Sequence, residues 1–401
     1  MTVEGWETGI LGKLCRISIG GTPTRNNPTY WDSGKETENL WVSIRDMNQR
    51  VITDTAEYIT DTGIKNSNAK TQYQGTVLLS FKLTIGRVAF AGRKLYTNEA
   101  IAALETDNLD STFLYYGLQQ WDLLQDVDQA IKGATLNKAK LNKIQFDYPT
   151  PIEEQTQIAA ILSTIDRAIE QTEAIIAKQQ RIKTGLMQDL LTKGIDEDGN
   201  VRSEATHKFK DSPLGRIPAE WEVKTLNKVA SLQRGHDIRE IDLIPGNCPV
   251  IASSGIIGFH KFSTSSAPNV VVGRKGSIGN VHYIDSDFWA HDTSLFVTNF
   301  FGNHEKYVYY LFSNLKLERF GTKSGSPSLN RNDIHPLLVG IPNSTEQRKI
   351  VRVLSECDKS LTGFSEELEK NKRRKTGLMQ DLLTGNVRVT ALLNDRAKTS
   401  L

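Results

Sequence analysis

The sequence predicts an α+β fold: two mixed α/β globular domains, each followed by a long helix. The two helices are expected to pair as an antiparallel coiled coil with pseudo-two-fold symmetry. Three observations carry this. The decapeptide KTGLMQDLLT stands at residues 183–192 and again, unchanged, at residues 375–384. The stretch before each copy repeats apolar residues in alternating steps of four and three, which is a coiled-coil seam. The segments before those stretches are rich in β-branched runs broken by Gly, Asn and Ser, such as GTVLLS, NVVVG, LFVTNF and LLVGI. They read as short strands and turns.

The seam is explicit in both copies. Positions 158, 162, 165, 169, 172 and 176 are Ile, Leu, Ile, Ile, Thr and Ile; positions 350, 354, 357, 361, 364 and 368 are Ile, Leu, Cys, Leu, Phe and Leu. Glu154-Gln155 falls on Glu346-Gln347, and Asp166 on Asp358. Only 8 of the 29 positions from 154 to 182 match their counterparts, yet all ten of the decapeptide do. Thr150-Pro151-Ile152-Glu153 and Ser344-Thr345-Glu346-Gln347 have the form of capping boxes that open the helices. Gly194 and Gly385 stand where C-caps favour glycine. About 36 helical residues span roughly 54 Å, too long to persist without a covered stripe. The simplest cover is the other copy.

The repeat extends backwards. Gly5-Trp6-Glu7 resembles Glu220-Trp221-Glu222, SFKLTIGRVAF at 80–90 resembles GRKGSIGNVHY at 273–283, and ATLNK at 134–138 resembles PSLNR at 327–331. Helices are expected near 111–125 and 304–317. The resulting division is a first domain at 1–149, a helix at 150–193, a polar linker at 194–218, a second domain at 219–342, a second helix at 343–385 and a tail at 386–401.

Bulk composition bounds the function. Of 401 residues, 38% are hydrophobic and 24% charged, ordinary for a globular protein. No apolar run approaches the roughly 20 residues of a membrane span, and the first residues lack a signal peptide's pattern. Cys15, Cys248 and Cys357 lie far apart, which argues against a disulfide framework or a zinc site and suits the cytoplasm. Net charge is only +2. A DNA-binding role therefore calls for local basic patches and a partner's help rather than an overall basic surface.

Together these motifs resemble the specificity subunit of type I restriction–modification systems. The resemblance rests on GTPTRNNPTYW near the start, the EEQTQIAAIL-like entry to each helix, the duplicated decapeptide, SPLGRIPAEWEV opening the second half, and GNVRV near the end. It covers nearly the whole chain. It implies that each globular domain is a target-recognition domain reading one half of a split site in double-stranded DNA, with the helices as spacer. It implies two DNA adenine methyltransferase subunits docked on this chain, and motor-nuclease subunits joining for restriction. S-adenosylmethionine, ATP and Mg are then expected on those partners, and no cofactor on this chain.

Candidate DNA contacts follow from side-chain chemistry. Gly21, Thr22, Thr24 and Arg25 combine backbone N–H groups, hydroxyls and a cation suited to phosphate. Tyr30-Trp31 is read as closing that loop over the core. Lys82 and Lys275 recur at equivalent places, with Arg274 beside the latter. Lys323, Ser326, Asn330 and Arg331, matched by Lys132, Thr135, Asn137 and Lys138, offer phosphate and base-edge donors close together. Arg234, His236 and His291 are candidate base readers, and the position equivalent to His291 is Asn98. All seven histidines follow residue 200 and none has metal-ligand spacing. For partner docking the candidates are Lys183, Gln188 and Asp189, with Lys375, Gln380 and Asp381. Leu186 and Leu190 continue the seam, and Gly185 and Gly377 are read as permitting close helix crossing.

No catalytic set is visible. Asn27-Pro28-Thr29-Tyr30 resembles an amino-methyltransferase signature but lacks its second proline, and only 26 residues precede it. There is no Walker loop, HExxH, GxSxG or Asp…Glu-x-Lys nuclease cluster. The rival readings are a stand-alone DNA-binding protein and a coiled-coil scaffold without methyltransferase partners. The scaffold gives no reason for two related globular domains.

Overall fold

The computed structural model describes residues 3–124, 136–239, 242–321 and 327–390. The chain divides into two compact units, residues 1–172 with 367–401, and residues 173–366. Among the described residues no helix is long and apolar enough to cross a membrane. The three cysteines are free, and burial pushes the Cys15 thiol up to about 12.

The first unit holds a five-stranded sheet in the order Arg16–Ile19, Ile101–Glu105, Val77–Ser80, Val88–Ala91, Val51–Ile52. A second sheet runs Glu57–Tyr58, Leu40–Val42, Leu95–Thr97, Thr71–Gln72, with its central pair parallel. Trp6–Ile10 pairs antiparallel with Gln145–Pro149. The helix Ser111–Gln120 is N-capped by Asp110, whose carboxylate accepts from the N–H groups of Thr112 and Phe113, both at 2.9 Å.

The second unit repeats the plan. Ser231–Arg234, Ser294–Asn299, Asn269–Gly273 and Val281–Ile284 form one sheet in that order. Gly255–His260, Cys248–Ala252 and Trp289–Ala290 form the other, and its Cys248–Ala252/Trp289–Ala290 pair is again parallel. Glu222–Thr225 pairs with Leu338–Ile341 as Trp6–Ile10 does with Gln145–Pro149. The helix here is Glu305–Asn314. Both globular helices end short of the ranges expected from sequence.

The long helices are Ile152–Thr192 and Ser344–Leu383. Gly194 and Gly385 follow them with φ of +71° and +74°, the left-handed C-cap expected. The N-terminal boxes are not formed as read. Thr150 donates its hydroxyl to the Gly5 carbonyl instead (3.0 Å). The second helix is capped one residue earlier, by Asn343, whose Oδ1 accepts from the Glu346 N–H at 2.9 Å. Gln347 reaches the Pro342 carbonyl and Asn303 rather than back to Ser344.

The seam residues do more than pair helices. In the first unit Ile158 and Leu162 are fully buried in one cluster with Phe113, Leu118, Leu382 and Leu383. In the second, Ile350 and Leu354 share a cluster with Tyr307, Leu190 and Leu191. Each helix start is therefore part of a globular core, and burying each such side chain stabilises by about 1.5–3 kcal/mol.

Buried polar ties fix the helices in each unit. Gln155 accepts from the Asp110 N–H (2.9 Å) and donates to the Pro149 carbonyl (2.8 Å). Gln347 does the same with the His304 N–H (2.9 Å) and the Pro342 carbonyl (3.0 Å). Glu154 is clasped by Arg388 through two 2.7 Å hydrogen bonds. Glu346 takes Arg202, the Ile195 N–H (2.9 Å) and the Trp221 indole (3.2 Å).

Further along, Asp166 accepts from the Tyr116 hydroxyl (2.7 Å) and pairs with Lys375 (2.7 Å). Asp358 accepts from the Tyr310 hydroxyl (2.5 Å) and pairs with Lys183 (2.5 Å). Burial and then the aspartate's hydrogen bond push both phenols well above their ordinary value. Within each unit the pairings run antiparallel: Glu154 meets Arg388 while Asp166 meets Lys375, and Glu346 meets Arg202 while Asp358 meets Lys183.

Asp166→Ala should destabilise the protein by on the order of 3 kcal/mol, because it strands Lys375 and Tyr116. Replacing the trio together, Asp166→Leu with Lys375→Met and Tyr116→Phe, should recover most of that loss. Urea denaturation midpoints check both; a triple variant no better than Asp166→Ala would mean the helices depend on the charges themselves.

Candidate nucleic-acid interface and docking faces

In the second unit, five of the predicted residues line one cleft of ≈ 790 Å³. Arg234, His236, Arg274, Asn330 and Arg331 surround it, with Asp237 and Asp292 between them. The strand Ser231–Arg234 brings Arg234 to the rim. Its Nη2 donates to Asp292 Oδ2 at 2.7 Å. Arg274 donates to the Asp292 carbonyl (3.3 Å) and Arg331 to the Leu232 carbonyl (3.4 Å). Arg274 is held below its ordinary value, first by partial burial and then by the nearby Arg234 charge. Asp292 is also lowered. Its partial burial acts the other way, but the Arg234 hydrogen bond and the charges of Arg234 and Lys275 outweigh it.

His291 is the turn before the strand Ser294–Asn299. Its Nδ1 accepts from the Thr293 N–H at 3.3 Å, which leaves Nε2 as the donor. Asp237, His291 and Asp292 place ligand atoms within 4.8 Å of one another. The cation this cluster holds is Arg234.

The first unit uses the same scaffold with other side chains. The Gly21 N–H donates to the Thr97 carbonyl (2.8 Å) as the His236 N–H does to the Ala290 carbonyl (2.7 Å). A Cβ on Gly20 would stand 2.1 Å from the Thr97 oxygen, and one on Gly235 2.1 Å from the His291 oxygen, so both positions require glycine. Gly20-Gly21 thus matches Gly235-His236, and Ile19 takes the place of Arg234. Asn98 matches His291: its Oδ1 accepts from the Ala100 N–H at 3.0 Å.

The expectation of free backbone donors in the first loop is corrected. Gly20 and Gly21 are buried, and their N–H groups bond the Ile101 and Thr97 carbonyls. Thr22 donates to Glu99, and Arg25 pairs with Glu57 while lying 3.9 Å over the Trp31 ring. Only Thr24 is exposed without such a partner on its side chain among the described contacts. Trp31 packs edge-on against Trp41 at 5.0 Å, closing the loop over the core as read.

Lys82 and Lys275 sit in equivalent turns. The Gly86 N–H bonds the Ser80 carbonyl (3.0 Å), and the Gly279 N–H bonds the Gly273 carbonyl (2.9 Å). Lys275 forms a bridge to Ser328 at the cleft. Asn137 and Asn330 are N-caps, their side chains accepting from the Lys140 and Asn332 N–H groups at 2.9 and 3.0 Å. That use spends the carbonyl oxygen and leaves the amide N–H₂. Lys138 and Arg331 are exposed beside them. Lys132, Thr135, Lys323 and Ser326 lie outside the described residues.

The decapeptides divide into two faces. Leu190, Leu191, Leu382 and Leu383 are buried. Lys183 and Lys375, predicted to meet a partner, are engaged inside the chain by Asp358 and Asp166. Gln188, Gln380 and Asp381 are exposed, and Asp189 is half-exposed and paired with Lys193 at 2.8 Å. Gly185 and Gly377 do not serve a close crossing: a Cβ at either would meet nothing within 4 Å.

Sequence reading passed over the most buried functional ties. Arg202 and Arg388 carried a signal, since Gly-Asn-Val-Arg occurs at 199–202 and at 385–388. Tyr116 and Tyr310 did too, each the second of a Tyr-Tyr pair. Asp292 carried none, because its partner is 58 residues away.

Two like α/β units, each completed by segments of both long helices and each with different side chains at its rim, make up one duplicated scaffold. The chain belongs to the family described as the type I restriction modification DNA specificity domain, which matches residues 3–179 and 218–371. It is 22% identical to the specificity subunit of the type I restriction enzyme MjaIX of Methanocaldococcus jannaschii, over 97% of this chain and 95% of that one. It is 21% identical to the EcoprrI specificity subunit of Escherichia coli, over 92% of each. The crystal structure of the type I restriction–modification S subunit from M. genitalium has the same fold, with a TM-score of 0.62 at 17% identity, covering 96% of this chain and 99% of that one.

His335 supports the cleft from below. Its Nε2 accepts from the Leu232 N–H at 3.0 Å, and partial burial, then the Arg331 charge, lower its pKa from the ordinary 6.5. A histidine lowered on folding contributes stability that is complete above 6.5 and lost as pH falls through the folded value. Thermal midpoints should therefore drop below pH 6.5 more steeply in the native protein than in His335→Gln, as calorimetry across pH 5–8 would record.

Proposed function

We propose that this chain is the non-catalytic DNA-reading subunit of a type I restriction–modification assembly. Each globular domain reads one half of an asymmetric bipartite site in double-stranded DNA. Each decapeptide helix end docks one adenine methyltransferase subunit, and motor-nuclease subunits join for restriction. S-adenosylmethionine, ATP and Mg act on those partners, and the assembly works on DNA in the cytoplasm.

The observation that carries this reading is the uneven repeat. The helix ends are identical between the halves, whereas the rims of the two domains differ: Arg234 against Ile19, His291 against Asn98. Identical surfaces suit two copies of one partner, and different rims suit two different half-sequences. Gly185 and Gly377 sharpen the docking part. A mid-helix glycine costs about 1 kcal/mol relative to alanine, and here it packs against nothing in its own chain. A partner's backbone approaching closely at both helices accounts for it.

Three measurements test the reading. Adenine-methylation mapping in cells that express this chain with its cognate methyltransferase should return one motif of two unlike halves separated by an unread gap. Methylation with no motif, or transfer by the isolated chain, would overturn the reading. Gly185→Gln with Gly377→Gln should keep or raise the melting temperature while removing methyltransferase from the complex, and either substitution alone should leave one copy bound by native mass spectrometry. Lys82→Ala or Lys275→Ala should weaken binding of the assembly to all sequences alike and lower its salt slope by about one.

A further inference from the structure

We infer that the cleft of the second domain reads a G·C base pair, with Arg234 on the guanine and Asp292 as the residue that positions it. The inference rests on the DNA-reading function proposed above and specifies what one domain recognises.

The cleft mixes signs. Three guanidinium groups, Arg234, Arg274 and Arg331, share it with the carboxylates of Asp237 and Asp292. A phosphate-binding site gains nothing from two carboxylates, which repel the oxyanion they would face. A base-pair edge is different: guanine offers the acceptors N7 and O6, while cytosine offers the N4 donor that a carboxylate accepts. An arginine fork complements guanine, and an exposed carboxylate at the same cleft, as Asp237 is, complements cytosine. An A·T pair, which offers one donor and one acceptor on adenine, is matched by Asn or Gln; of the two amides lining this cleft, Gln233 and Asn330, the latter already has its oxygen engaged by the Asn332 N–H.

Among the three arginines the geometry selects Arg234. Arg274 and Arg331 each donate to backbone carbonyls. Arg234 is held by a side chain instead, Nη2 to Asp292 Oδ2 at 2.7 Å. Its own side chain is 53% exposed, while that of Asp292 is 17% exposed. The anchor is thus inside and the reading group outside. One of five N–H donors is spent, and the rest of the planar fork remains for N7 and O6. Fixing the fork in advance lowers the entropy lost on binding. Asp292 is itself held in place: its carbonyl takes Arg274, and its carboxylate stays ionised beside Arg234 and His291.

The first domain has no equivalent. Gly20 stands where Gly235 stands, so the residue in the Arg234 position is Ile19, which is half-buried and apolar. An arginine at this position is therefore confined to one half of the site.

Methylation mapping of the complete complex carrying Arg234→Lys decides the matter. Lysine keeps the charge but loses the bidentate fork. The native motif should contain a G·C pair whose discrimination falls by between about fivefold and 100-fold in the variant. Every other position of that half and all of the other half should stay as they were, and the salt slope of DNA binding should not change. Asp292→Asn should relax the same position, by less. An intact motif in the variant overturns the inference, as does relaxation at an A·T pair or an even loss at all sites. In each of those cases DNA reading itself stands. A native complex without any sequence preference overturns the proposed function, and this inference with it.

Discussion

An aspartate on each long helix, buried at Asp166 and half-buried at Asp358, ties together three elements that the chain visits far apart. Asp166 receives Tyr116 from a globular helix and Lys375 from the other long helix. Asp358 receives Tyr310 and Lys183 in the same way. Taking a carboxylate and an ammonium out of water costs several kcal/mol each, and their attraction roughly offsets that. Well-packed apolar residues would hold the helices as firmly. What the ion pair adds is register. A 4-3 stripe tolerates sliding by a heptad, because one leucine replaces another. After such a slide each Asp would face an apolar residue, and each Lys would lose its partner. The seam supplies adhesion, and the charges select one alignment.

The same logic sets where each domain sits on its helix. Gln155 and Gln347 each join the helix start to the preceding strand and to the start of the globular helix. Glu154 and Glu346 each bind an arginine from a Gly-Asn-Val-Arg segment. These ties are buried, so each must be complete or it costs stability. They leave the domain little freedom to rock on its helix.

What was legible in the sequence depended on range. The helices, their glycine C-caps and the strand-rich segments are written in local spacing, and local spacing survives folding. The capping boxes were also local, but Thr150 found Gly5 and Asn343 displaced Ser344, because a tertiary partner outcompeted the local one. Lys183 and Lys375 looked like surface charges since their partners lie on the other helix. The GTPTR loop read as open backbone because nothing local shows that Thr97 and Ile101 take its N–H groups. The cleft was legible by residue type: Arg234, His236, Arg274, Asn330 and Arg331 were each singled out, but their convergence, and the carboxylate among them, needed the fold.

The two kinds of position are separated in the molecule. Many residues shared by the halves, the Glu-Gln pairs, the aspartates, the lysines and the Gly-Asn-Val-Arg arginines, lie in buried or half-buried ties where substitution leaves a partner unpaired. Residues that differ at the rims lie at strand ends and turns whose backbone is already satisfied: the Gly21 and His236 N–H groups make the same bond whatever their side chains are. Changing Ile19 to the arginine of its counterpart, or Asn98 to histidine, alters donors and acceptors at the rim without unpairing a buried group. A scaffold built this way lets recognition vary at small cost in stability, provided the glycines at 20 and 235 stay, since only they admit the neighbouring carbonyls.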